Sequence, residues 1–281
     1  MRIMAVVPVY NEAENIGNVL ETLIYAYNEG TIDGITVVND GSTDATQSIA
    51  AGFFTEHESR DFFLLDLKEN MGKGAALLAG FLLARSAGHD AVIMLDADMD
   101  VLPIHLGDIA EALERNDEKM IIGIYYERNH EDSTHPTSCL TFSGFRAITL
   151  SALSRILDNP FWQYSLREAR FGAEKLLNYV VGRFQTNGDE QIIGCPGICT
   201  IDFTPRIFAR PGCRYDLDFG RRQGDELTSV SELIFMRRQM AQELRKMRGN
   251  GSIDEAKQLI RLYRRNPKEF IRTSRVMLNR L

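Results

Sequence analysis

The 281-residue chain reads as an α/β fold, a mostly parallel sheet flanked by helices. Three observations predict it. Short apolar runs alternate with segments whose apolar residues recur at helical spacing, from Ile3 through Tyr125. The runs are continuous rather than alternating, the pattern of strands buried on both faces. Polar motifs follow the downstream ends of those runs, where open parallel sheets bind ligands.

The elements follow in order. Ile3 to Val7 is the first strand, and Asn11 with Glu14 has the spacing of a capping box for a helix beginning near Glu12. Ile16, Val19, Leu20, Leu23 and Ile24 form its apolar face. Ile35 to Val38 is the second strand, followed by Asn39-Asp40-Gly41-Ser42-Thr43-Asp44 and a helix over about 44–58. Phe62 to Leu65 is the third strand, with Asn70-Met71-Gly72-Lys73-Gly74 as its Gly-rich exit and a helix from Ala75 to Ala87. Ala91 to Leu95 is the fourth strand; a helix from Pro103 to Glu114, with Pro in its first turn, precedes a fifth at Met120 to Tyr125. Strand–helix alternation of this kind implies parallel pairing with helices on both faces.

Asp96-Ala97-Asp98 directly follows the fourth strand. In extended chain, residues two apart point the same way, so two carboxylates emerge together from the sheet. Paired oxygen ligands suit a hard divalent cation, Mg²⁺ or Mn²⁺, and such a cation suits a diphosphate. Acidic pairs also make ordinary loops. Weight comes from the company: Asn11-Glu12, Asp40, Lys73, Asp96 and Asp98 all fall on one rim of the expected sheet.

Pro8-Val9-Tyr10-Asn11-Glu12, Val37-Val38-Asn39-Asp40-Gly41-Ser42-Thr43-Asp44, Asn70-Met71-Gly72-Lys73-Gly74 and Asp96-Ala97-Asp98 together resemble the ordered signature of family 2 glycosyltransferases. The resemblance is strong over the first half and nearest to the polyprenyl-phosphate sugar transferases and glucosyl-3-phosphoglycerate synthases. Phe142-Ser143-Gly144-Phe145-Arg146-Ala147 is similar to the S-G-x-R segment on their acceptor side, and Phe171-Gly172-Ala173-Glu174 to their G-x-x-E at a helix start. The resemblance implies the GT-A fold, a nucleotide-diphosphate sugar donor (UDP the commoner nucleotide, GDP open) and a divalent metal. It sets Pro8, Tyr10, Glu12, Asp40, Lys73 and Asp96 at the donor nucleotide, Asp98 with Asp96 at the metal, and Ser143, Gly144 and Arg146 at the acceptor. Glu174 and Asp98 are the catalytic candidates.

Each residue also has a plainer reading. Asp40 before Gly-Ser-Thr-Asp suits a turn and cap as well as a nucleobase N–H. Glu12 suits a helix dipole. Lys73 between glycines suits a solvated loop as well as a phosphate. Glu174 is a base if the acceptor is a hydroxyl; a phosphate acceptor is already anionic, and Glu174 then orients the sugar. Arg146 suits an anionic acceptor or a surface. Trp162 and Tyr164 suit a sugar face or the core. The third metal ligand is open among Asp202, Asp216 and Asp218, since no histidine follows His135.

Hydrophobic content is 44% and net charge −7, which fits a globular protein and argues against general nucleic-acid binding. No apolar stretch reaches the roughly 18–20 residues of a membrane span, and the N-terminus lacks a signal-peptide pattern. The expectation is a cytoplasmic protein, peripheral at the inner membrane face if its basic C-terminal part meets lipid. Cys139, Cys195, Cys199 and Cys213 are expected as free thiols, without the second pair a zinc site needs. The expected organisation is a catalytic domain over 1–226, its donor half 1–126 and acceptor half 127–226, then a helical extension over 227–281. From Arg237 to Leu281 there are 13 Lys/Arg against 4 Asp/Glu. Val230 to Leu244, a capping box at Ser252 and Glu255, and Asn266-Pro267 mark three helices. Packing on the catalytic domain, pairing of two subunits, and contact with anionic lipid are the readings for them. The segment Asn129 to Pro136 reads as a polar loop near the site. Two other functions fit the sequence less well. A sugar-1-phosphate nucleotidyltransferase opens with a Gly-rich, Arg-containing loop, where this chain has Pro-Val-Tyr-Asn-Glu; a non-catalytic nucleotide-sugar-binding protein has no need of Asp96, Asp98 and Glu174 together.

Overall fold

The structure, a computed structural model, describes residues 1–99, 101–115, 120–124, 144–182, 185–186, 192–194, 198–202, 261, 265–269 and 272. The strands are β1 (Ile3–Val9), β2 (Gly34–Asn39), β3 (Phe62–Asp66), β4 (Ala91–Met94), β5 (Met120–Ile124), β6 (Arg146–Thr149), β7 (Gln185–Thr186), β8 (Ile192–Gly194) and β9 (Ile198–Asp202). The helices are α1 (Ile16–Asn28), α2 (Thr46–Glu56), α3 (Lys73–Ser86), α4 (Pro103–Arg115), α5 (Leu150–Leu157), α6 (Pro160–Glu168) and α7 (Ala173–Gly182).

Seven strands form one sheet in the order β3-β2-β1-β4-β6-β5-β9, and β7 pairs with β8 apart from it. The first four run parallel, as the alternation predicts. Strand β6 is the exception, antiparallel to both β4 and β5. It follows a long connection from β5 and inserts between two strands that the sequence places next to one another.

Side chains of β1 point alternately to the two faces, and the core divides accordingly. Met4 and Val6 join Val92, Met94, Leu77, Phe81 and the apolar faces of α5, α6 and α7. Ile3, Ala5, Val7 and Val9 join Ile93, Leu95 and the faces of α1 and α4. Close packing of α3 on β1 requires Gly80, where a Cβ would stand 2.4 Å from Val6 Cγ1. Trp162 is buried in the first core and Tyr164 packs against it, so both aromatics follow the packing reading.

Helix starts differ from expectation. Helix α1 begins after Asn15, not Asn11, because the Glu12 carbonyl accepts from the Asn15 and Ile16 N–H groups in a preceding turn. Asn11 instead takes a left-handed φ of 56°, which Asn tolerates, and ties two loops together. Its N–H donates to Ser42 Oγ at 2.9 Å, and its Oδ1 accepts from the Thr43 N–H at 2.8 Å. Helix α3 begins at Lys73, earlier than expected, which puts that lysine in the first turn. Asn266 does cap the helical turn after it, accepting from the Glu269 N–H at 3.1 Å. Among the described residues, no helix is long and apolar enough to cross a membrane. Ser143, Cys139, Cys195, Cys213, Asp216, Asp218, the segment 129–136 and most of 227–281 lie outside the described residues.

Candidate active site

Strand order reverses between β1 and β4, since β2 and β3 lie to one side of β1 and β4 to the other. The crevice at the carboxyl ends of such a pair is where open α/β sheets take ligands. Tyr10, Asn11 and Glu12 leave β1 there, and Asp96 to Asp98 leave β4. Glu12 registers the crowding. Its pKa is raised first by burial and further by the charges of Asp98 and Asp96, against a 2.8 Å hydrogen bond from Asn15 Nδ2 to its Oε2. A cation beside Asp98 and Asp96 would relieve that repulsion, and their oxygens are the donor type for Mg²⁺ or Mn²⁺. Among the described residues, no group of three His, Cys, Asp or Glu is arranged to hold a metal. A magnesium-type ion with few protein ligands, completed by water and phosphate, is compatible with this donor set.

The Gly-rich loop is held from β2. Met71 N–H donates to Asp40 Oδ1 and Gly72 N–H to Asp40 Oδ2, each at 2.7 Å. Burial raises the Asp40 pKa, while these two amides and the nearby Arg170 oppose the rise. Asp40 thus carries the structural task of shaping the loop; a base edge would have to use its remaining lone pairs. Gly72 has φ 91° and Gly41 φ 69°, conformations that favour glycine. A Cβ on Gly41 would stand 2.6 Å from the Glu69 carbonyl carbon, so the β2 exit and the loop before Met71 touch backbone to backbone.

Lys73 does not project into solvent. Its ammonium lies 2.6 Å from Asp96 Oδ1 and 2.5 Å from Glu174 Oε1. Burial alone would lower its pKa; the two carboxylates outweigh burial and raise it. The plain reading of a solvated loop charge is therefore replaced by a largely enclosed ion triad joining α3, the β4 exit and α7.

Helix α7 is fixed twice. Glu174, 3% exposed, meets Lys73. Asn178, one turn on and on the same helix face, accepts from the Arg146 guanidinium. Arg146 is 0% exposed and also touches Met120 Sδ at 3.7 Å. Arg146, expected at the acceptor, is thus enclosed in the core. It begins β6 with its side chain turned into the core, because Phe145 and Ala147 on either side face the opposite layer. Gly144 lies against Asp96, since a Cβ there would stand 2.1 Å from Asp96 Oδ2. The antiparallel direction of β6 brings Gly144 to the rim, with Arg146 opposite Met94. Asp98 is half-buried, Tyr10 exposed and Pro8 half-buried at the end of β1. Asp202 ends β9, at the far edge of the sheet from β3.

Two residues escaped the sequence reading. Asn178 has no motif to mark it. Arg170 is exposed, takes φ 46°, and runs its side chain past Gly72; a non-glycine residue at positive φ has no signature in sequence.

Comparison with known proteins bears on the family and the fold. The chain is 32% identical over 163 residues to a dolichyl-phosphate β-glucosyltransferase of Trichomonas vaginalis, covering 54% of this chain and 49% of that one. It is 29% identical over 184 residues to the dolichyl-phosphate β-glucosyltransferase of Drosophila melanogaster, covering 60% and 52%. The chain thus spans about half the length of these curated relatives. Among solved structures, glucosyl-3-phosphoglycerate synthase from Mycobacterium tuberculosis, in complex with Mn²⁺, UDP-glucose and glycerol 3-phosphate, superposes with a TM-score of 0.54 at 17% identity, over 82% of this chain and 78% of that one. That likeness carries the GT-A fold. The sequence pattern described as Glycosyl transferase family 2 matches residues 4–163, from β1 into α6 and through every rim motif up to Asp98. With more than half of its length inside that match, the chain belongs to glycosyl transferase family 2.

Proposed function

We propose that this protein transfers a sugar from a nucleotide-diphosphate sugar, UDP-linked rather than GDP-linked, to an acceptor bearing a phosphate: a small phosphorylated molecule or a polyprenyl phosphate. The observation that carries the reading is the meeting of Glu12, Asp96, Asp98, Lys73 and Glu174 at the β1/β4 crevice, beside the Gly-rich loop that Asp40 holds. The named relatives use dolichyl phosphate, and the structural neighbour binds UDP-glucose with glycerol 3-phosphate. In the reaction an acceptor phosphate oxygen bonds to the anomeric carbon. The carbon–oxygen bond to the diphosphate breaks, and the nucleoside diphosphate leaves with the electron pair. An anionic acceptor has no proton to lose, so Glu174 acts by orientation, held by Lys73 and the α7 anchor. Asp98, with Asp96, would hold Mg²⁺ or Mn²⁺, which when bound offsets charge on the departing diphosphate. Tyr10 and Pro8 line the base side, and Gly144 the acceptor side. A lipid acceptor would bring the protein to a membrane face as a peripheral protein.

The test is a thermal-shift screen of UDP, GDP, CDP and dTDP sugars with Mn²⁺, followed by transfer assays on polyprenyl phosphate and glycerol phosphates. Selective stabilisation by one donor is the expected result. Asp98→Ala should lose metal-dependent transfer by at least about 100-fold with its melting temperature unchanged. Full activity of the parent protein in excess chelator would remove the metal from the reading.

A further inference from the structure

The sequence gives the Gly-rich loop one cation for the donor's phosphates, Lys73. The structure takes that cation away. Lys73 is enclosed by Asp96 and Glu174 at 2.6 and 2.5 Å, so the three side chains together carry one negative charge.

A different guanidinium stands over the loop. Arg170 opens the 3₁₀ turn Arg170–Gly172 that leads into α7. Its backbone N lies 3.3 Å from where a Cβ on Gly74 would be, and its Cγ 2.6 Å from where a Cβ on Gly72 would be. Arg170 therefore flanks Lys73, its backbone against Gly74 and its side chain over the place where Gly72 leaves room. It remains exposed, and among the described residues it forms no ion pair. Its charge reaches Asp40 and opposes the burial effect on that carboxylate. The backbone takes φ 46° here, a left-handed conformation that strains a residue with a Cβ. Such strain at a site is retained where the side chain has a task.

Resting on the donor reading above, we infer that Arg170, not Lys73, is the side chain that binds the diphosphate of the nucleotide donor, while Lys73 is a positioning residue for Asp96 and Glu174. A guanidinium presents two parallel N–H groups to adjacent phosphate oxygens, which an enclosed ammonium does not.

The experiment is isothermal titration of UDP and GDP with Mn²⁺ present, on the parent protein, Arg170→Gly, Arg170→Asn and Arg170→Lys, at several salt concentrations. Glycine and asparagine accept the left-handed backbone, so both variants should melt at or above the parent's temperature. Both should bind the preferred diphosphate about 10-fold more weakly, with a shallower dependence of affinity on salt. Arg170→Lys should restore part of the affinity. Equal affinity in all four proteins would overturn the inference alone, as would a loss with the salt dependence unchanged. A parent protein that bound neither diphosphate would overturn the donor reading and this inference together.

Discussion

Lys73, Asp96 and Glu174 share one largely enclosed spot, with side-chain exposures of 12%, 28% and 4%. Removing the middle charge leaves two carboxylates facing each other, and breaking a buried pair from one side typically costs about 3–5 kcal/mol. Lys73→Met is expected to lose stability of that order in urea unfolding. Glu174→Gln, which keeps the shape and one paired carboxylate, should lose far less. If the two variants unfolded at the same urea concentration, the triad would not be holding α7. Glu174→Gln should also slow transfer much more than it weakens donor binding, and equal transfer by both proteins would end its assignment to the site. Gly144→Ala forces a methyl to 2.1 Å from Asp96 Oδ2. It should cost about 1–3 kcal/mol and reduce transfer by displacing that carboxylate; retained activity would show that Asp96 has room to move. At this scale the sequence marks the acidic pair and Glu174 as candidates but does not show which groups lie beside them. Lys73 lies between glycines and reads as a phosphate contact, whereas its partners come from distant strands and helices. Arg146 reads as an anion-binding residue, whereas the pleat of β6 turns it toward Asn178.

The elements were legible where burial is periodic. The apolar runs of β1 to β5 and the stripe of α1 lie within two residues of expectation, because local alternation and helical spacing decide which side chains meet the core. Starts and exits were less legible. Asn11 and Glu14 have the spacing of a capping box, yet Asn11 bonds the β2 exit loop, a partner visible only when β1 and β2 lie side by side. Asp40 is a similar case: the cap reading and the nucleobase reading both miss its two bonds to the Met71 and Gly72 amides. Asp40→Ala would leave both amides without acceptors, at about 1–3 kcal/mol each. Amide hydrogen exchange at Met71 and Gly72 should then speed by more than 10-fold, with β2 itself little changed. Unchanged protection at those two amides would mean that the loop holds its own shape.

For the whole molecule, a pH effect arises far from the site. His89 is buried near the start of β4, where burial foremost, then the charge of Arg2, lower its pKa below the ordinary 6.5. The fold therefore favours the neutral ring. Its contribution to stability is fully present above pH 6.5 and is lost as pH falls through the lower native value. Glu12 and Asp40, whose pKa values are raised in the fold, act in the opposite sense in the carboxylate range. Comparing the parent with His89→Leu isolates the imidazole: the parent should lose more melting temperature between pH 7 and pH 5 than the variant. Parallel melting curves would remove His89 from the acid response. The α/β class, the parallel first half and the gathering of acidic and Gly-rich motifs on one rim were all legible along the chain, because burial patterns and strand ends are written locally. Folding in three dimensions was needed to show that β6 enters the sheet antiparallel beside β4, that Lys73 faces two carboxylates, and that Arg170 stands over the loop. Those depend on strand order and on helices packed from distant parts of the chain, and no local pattern of side chains records which distant groups will share a crevice.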